Sequence, residues 1–173
     1  LTIVNSNLSL KPSDNDELLL AALNAEKARR LTEDRLRYYK PYPKQKDFHH
    51  AKAGERLLMA GNQLGKTLAG GFEAAMHATG RYPDWWQGRR FDKPTVGWCC
   101  GVTGEVVRDT VQKVLVGRPG QIGTGAIPKD AIGDLVSGRG TANLIDIIKV
   151  QHVSGGTSIS ASNRNVGPRE IPR

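Results

Sequence analysis

The chain has 173 residues, enough for one domain with its own core. Hydrophobic residues make up 38% of it, no run is long enough to cross a bilayer, and the first residues lack the basic-then-apolar pattern of a secretion signal. Membrane-embedded and exported classes are therefore set aside. The net charge of +8 points to a polyanionic partner, with nucleic acid favoured over a role in solubility alone.

In chain order, residues 1–12 are polar and expected to fray. Ser13 with Asp16 resembles a capping box. From Asp14 to about Tyr39 the spacing predicts a helix, with Leu18, Leu19, Ala22, Leu23, Ala25, Leu31 and Leu36 as its apolar positions. Prolines in Lys40–Lys46 break it, and a short helix over about Lys46–Ala53 follows. Arg56-Leu57-Leu58-Met59 reads as a short buried strand, and Lys66–Thr79 as a helix stopped by Gly80 and Pro83. Arg81–Pro94 is a connector rich in Trp, Arg and Pro. Thr95–Val102 is a second predicted strand, Glu105–Val116 a further helix, Gly117–Lys129 a loop, and Asn143–Val153 a last strand. From Ser154 onward the sequence is polar. The alternation of strand and helix predicts an α/β fold with a parallel sheet.

Between the first strand and its helix stands Ala60-Gly61-Asn62-Gln63-Leu64-Gly65-Lys66-Thr67. This is a variant of the phosphate-binding loop G-x-x-x-x-G-K-[ST], with alanine at the first position. Each residue type has a physical task. Glycine lets the backbone curl so that successive N–H groups face one anion. Lys66 brings a mobile positive charge to the outer phosphates. Thr67 offers a hydroxyl to a magnesium ion that keeps most of its water.

Other chemically active side chains form no comparable pattern. Cys99 and Cys100 are adjacent, which suits neither a mutual disulfide nor a zinc site, and are expected to pack as small apolar residues. His49, His50, His77 and His152 lack metal-ligand spacing. Trp85 and Trp86 are packed anchors or, alternatively, base-stacking residues, and Trp98 is expected in the core.

The loop, the connector GRYPDWWQGRRFDKP and the GWCCGVT strand with its helix together resemble the large terminase subunit of tailed bacteriophages, over about residues 40–157. The resemblance implies an incomplete P-loop NTPase-type parallel sheet with flanking helices, preceded by an N-terminal helix. Residues 1–40 form that helical region, 41–158 a partial ATPase domain and 159–173 an irregular tail. It implies ATP and Mg²⁺ as cofactors, with Ala60, Gly61, Asn62, Gln63, Leu64, Gly65, Lys66 and Thr67 holding nucleotide. Lys66 is the catalytic cation and Thr67 the metal residue. Gln45 matches an upstream glutamine that reads adenine in this family and in related helicases, and Tyr42 is a candidate to stack on the base. Duplex DNA is the implied substrate, and portal and small terminase subunit are the implied partners. Oligomerisation only on a capsid and the cytoplasm of a bacterial host complete that picture.

Two departures shape the expectation. Some family members carry an arginine inside the loop where this chain has Asn62, leaving Arg81, Arg89 and Arg90 as candidates for its role. An apolar strand ending in Asp-Glu, which orients metal and water, is not evident; Asp134 and Asp146 lie in unsuitable surroundings. Codons compatible with Pro168–Arg173, shifted by one base, can encode the Arg-Glu-Lys-Phe-Gln found in such proteins. The tail from about Ile159 is thus read as a frameshifted remnant, which the DNA past codon 158 tests. On this reading the chain binds nucleotide but hydrolyses it poorly or not at all. Alternatives are a helicase-like P-loop translocase and a non-catalytic prophage remnant that only binds nucleotide or DNA.

Overall fold

The structure is a computed structural model and describes residues 14–164. The Ser13 cap, the polar residues before it and the Pro168–Arg173 segment lie outside the described residues. In chain order the elements are α1 (Asp14–Glu33), α2 (Pro43–His50), α3 (Lys66–Thr79), β1 (Val96–Gly101), α4 (104–115), β2 (Ile132–Ser137), β3 (Ile145–Gln151) and β4 (Thr157–Arg164). The middle of α4, Val107–Gln112, is wound in wider π-type turns.

The sheet has the order β1-β4-β3-β2. Among the described strands only β1 and β4 run parallel; β2, β3 and β4 form an antiparallel meander. The sheet is therefore mixed rather than the parallel one expected. Two differences from the sequence reading cause this. Residues 56–59 form no strand, and Leu57 and Met59 are 81% and 82% exposed. An isolated apolar run has no ladder to satisfy its backbone, so it stays irregular. Conversely, the polar stretch from Thr157 forms the central strand β4 through Arg164, where an irregular tail from Ile159 was expected. Its pattern is inverted: Ser158 and Ser160 are buried while Ile159 is partly exposed. Hydrogen bonds replace hydrophobicity as the reason: the Thr95 N–H donates to Ser158 Oγ at 3.0 Å, and both edges of β4 are laddered.

Helices α3 and α4 supply the core against one sheet face, with Phe72, Ala75, Met76, Leu115 and Val116 meeting Ile127, Ile148 and Val150. Each of the larger side chains, fully buried, contributes roughly 1.5–3 kcal/mol. On the face away from these helices the register aligns Trp98, Ala161 and Ile147 in one row and Val96, Ile159 and Lys149 in the next. No described helix covers that face at β1, so Trp98 is 50% exposed rather than in the core. The strand's alternation also separates the two cysteines: Cys99 is half-buried, its thiol pushed up by burial, whereas Cys100 is exposed, not packed as expected.

α1 ends at Glu33, earlier than predicted, and Leu18, Leu19, Leu23 and Leu31 on it are exposed. Leu36, beyond the helix, is the member of that set that reaches the core. At its C-terminal end α1 is tied by Lys129 Nζ, 2.9 Å from Glu33. α2 starts at Pro43, three residues before the predicted start, because proline's fixed φ suits the first helical position.

Candidate functional site

The phosphate-loop segment runs from Ala60 into α3. Gln63 (φ 60°) and Gly65 (φ 75°) adopt left-handed conformations, which curl the chain before the helix starts. For Gln63 this costs on the order of 1 kcal/mol, a strain worth noting beside a candidate site. Ala60 has no positive φ. Its backbone region admits any residue, which is why alanine serves at the position where the motif has glycine. Gly65 is the N-cap of α3, and no side chain caps that end. The first-turn N–H groups of a 14-residue helix are thus left for an anion. At the far end Gly80, with φ 71°, closes the helix, and its N–H donates to the Met76 carbonyl at 2.8 Å.

Lys66 Nζ donates to the carbonyls of Ala60 and Gly61, each at 2.6 Å, so the side chain folds back over the loop. Thr67, one residue on, is exposed, as are Gly61, Asn62, Gln63 and Leu64. The chemistry fits phosphate oxygens: they would exchange with the two carbonyls for the ammonium and meet the free N–H groups. For a magnesium ion the described residues offer the Thr67 hydroxyl and no cluster of three or more His, Cys, Asp or Glu. The ion would therefore be held mainly by phosphate and water, the usual manner for this cation.

Gln45 lies against this loop but not as a free base reader. It is buried; its Oε1 accepts the Tyr42 N–H at 3.0 Å, and its Nε2 donates to the Leu64 and Gly65 carbonyls at 3.2 and 3.3 Å. Tyr42 is 71% exposed and open to a stacking partner. A Cβ at residue 65 would lie 2.7 Å from Gln45 Nε2. Gly65→Ala is accordingly expected to lower stability by about 1–2 kcal/mol, from the left-handed φ and the displaced amide. Urea unfolding checks this, and an unchanged midpoint would mean a differently shaped loop.

The arginine candidates are engaged elsewhere. Arg81 sits past the far end of α3, about 20 Å from the loop by helix rise, and makes a two-pronged pair with Asp130 at 3.0 and 2.6 Å. Arg89 lies over the Phe91 ring and Arg90 over the Tyr82 ring.

Sequence reasoning missed a buried polar network behind the loop. Glu73, on α3, accepts from His49 Nδ1 at 2.7 Å and from Arg56 Nη2. His77 Nε2 lies 3.4 Å away. A carboxylate only accepts, so Nδ1 carries the proton, and in the neutral ring Nε2 accepts the Tyr39 hydroxyl at 3.1 Å. The available signal was a lone carboxylate on the apolar face of α3, beside Phe72 and Met76. Burial alone would raise Glu73; the hydrogen bonds from His49, His77 and Arg56 outweigh it and hold the carboxyl at about 2. Tyr39 is pushed up to about 12 by burial and by the Glu73 charge.

A depressed carboxyl stabilises the fold fully above its usual value of 4.5 and loses that contribution as pH falls towards 2. The loss is on the order of 3 kcal/mol. Urea midpoints measured across this window should fall steeply for the native chain and less steeply for Glu73→Gln; equal slopes would contradict the assignment.

The described residues thus join a phosphate-type loop and its helix to a mixed α/β sheet. Comparison with known proteins is specific: the family described as "Terminase large subunit, T4likevirus-type, N-terminal" matches residues 57–164, more than half of the chain. The terminase large subunit of Salmonella phage P22 is 37% identical over 157 residues, covering 81% of this chain and 32% of the relative. The chain belongs to the terminase large subunit family. It spans about a third of the length of that relative. The family match continues to residue 164, past Ile159, where the sequence reading started its aberrant tail. No solved structure gives a significant match.

Proposed function

We propose that this chain is the nucleotide-binding part of a phage or prophage DNA-packaging ATPase, with residues 60–67 as the seat of the ATP triphosphate and Mg²⁺. The supporting observation is the curl at Gln63 and Gly65, which sets Lys66 folded over the loop beside an uncapped helix start. In this role Lys66 leaves the Ala60 and Gly61 carbonyls for phosphate oxygens, the first-turn N–H groups of α3 receive the anion, and Thr67 turns its hydroxyl to the metal. Bound Mg²⁺ supplies charge neutralisation at the outer phosphates. Gln45 reads adenine only by exchanging the Tyr42 N–H and the loop carbonyls for the base edge. In the whole motor, duplex DNA is the substrate, drawn in part by the basic surface, and portal and small terminase subunit are the partners. Assembly takes place on a capsid in a bacterial host cytoplasm.

A second reading, binding without turnover, draws support from one feature: among the described residues the run at 56–59 forms no strand. One experiment serves both readings: titrate Mg·ATP by calorimetry and follow phosphate release. Binding is the expected result, and binding without release would favour the second reading. Magnesium-dependent release would restore a full ATPase, and absence of binding would overturn the nucleotide assignment.

A further inference from the structure

We propose that Glu73 is a positioning residue for the phosphate loop: through Arg56 and His49 it fixes the two segments that keep the loop in shape. The inference rests on reading residues 60–67 as the nucleotide site.

Burial cannot shape this loop. Gly61 to Leu64 are exposed, as are Leu57 and Met59 ahead of them. Its ends are instead held by polar contacts. At the exit the Gln45 amide grips the Leu64 and Gly65 carbonyls. Gln45 rides on α2, and His49, one helical turn later on the same face, is tied to Glu73 Oε2. At the entry Arg56 joins Glu73 Oε1 to the Phe48 carbonyl, with 3.0 Å to the latter, and covers the Phe48 ring at 4.8 Å. Glu73 itself lies seven residues past Lys66, two turns along the helix that the loop feeds. One carboxylate therefore links the entry segment, the exit clamp and the helix, with Oε1 towards Arg56 and Oε2 towards His49.

A buried ionic cluster is weak grounds for stability, since apolar replacements often do as well. Its placement behind the loop gives it a different task. Glutamine at this position would present an N–H₂ to one of the donors, His49 or Arg56, and break one tie while keeping the shape.

The test titrates a fluorescent ATP analogue with Mg²⁺ into the full 173-residue chain, below the unfolding temperature of every variant. Glu73→Gln should weaken binding about tenfold, the worth of one charge-assisted hydrogen bond. Gln45→Ala should weaken it too, and the double variant by less than the product of the two, because Glu73 acts partly through Gln45. A merely structural role would give independent, multiplying effects. Should Glu73→Gln not fold, Arg56→Met decides: it keeps the length of the side chain but removes both donors to Phe48 and Glu73, and a several-fold loss is expected. Binding equal to the native chain in the folded variant, or fully multiplicative effects, would overturn the proposal. Failure of the native chain to bind would instead remove the nucleotide reading on which it rests.

Discussion

Lys66→Ala is expected to weaken Mg·ATP binding about a hundredfold or more while leaving the melting temperature nearly unchanged. The two effects separate because the side chain has no core role. Its ammonium contacts only the Ala60 and Gly61 carbonyls among the described partners, on an exposed surface. Surface substitutions of that kind shift stability by roughly 0.5 kcal/mol or less, and alanine is the better helix former. Binding, by contrast, loses a cation poised for two phosphate oxygens, each charge-assisted bond worth roughly 1.5–3 kcal/mol. Calorimetry on native and variant chains provides the measurement. Equal affinities would mean that the phosphates sit elsewhere.

Trp86→Ala should cost about 3–5 kcal/mol, the range for removing a large buried aromatic. That is a large part of the stability of an ordinary domain, roughly 5–15 kcal/mol. Trp86 is 3% exposed and its ring meets His49, His77 and Tyr82 at centroid distances of 5.5, 5.6 and 5.3 Å. Its Nε1–H donates to the Arg89 carbonyl at 3.2 Å, so its polar atom is satisfied inside the protein. A base-stacking role predicts the opposite pattern, with DNA affinity lost and the melting temperature kept. Thermal melts and DNA titrations of Trp86→Ala therefore separate the anchor from the stacking residue. The half-buried Trp85 should show a smaller loss of stability in the same assay.

The structure also shows where hydrophobic pattern misleads. Leu18, Leu19 and Leu23 repeat at helical spacing, yet they face solvent because the described chain packs no layer over α1. The strand reading of 56–59 failed for the complementary reason: apolar residues make a strand only when another strand pairs with them. β4 carried little apolar signal, Ile159 and Ala161 being its apolar residues. Its buried positions are serines, held by ladders on two sides and by the Thr95 N–H. The network around Glu73 was equally hidden, since His49, Arg56 and Glu73 are scattered along the chain and meet only when α2 lies across α3.

What the sequence determined by itself is the local unit: α3 runs from Lys66 to Thr79 as its residues predict, because Gly65 and Gly80 mark both ends with left-handed backbone that glycine adopts without strain. The loop and its chemistry lie within eight consecutive residues, so no distant contact was needed to find them. Tertiary structure alone decided the strand pairing, the central place of a serine-rich strand, the exposure of Trp98 and the carboxylate behind the loop. Each of these depends on which segments meet across the fold, and that is information short-range propensity does not carry.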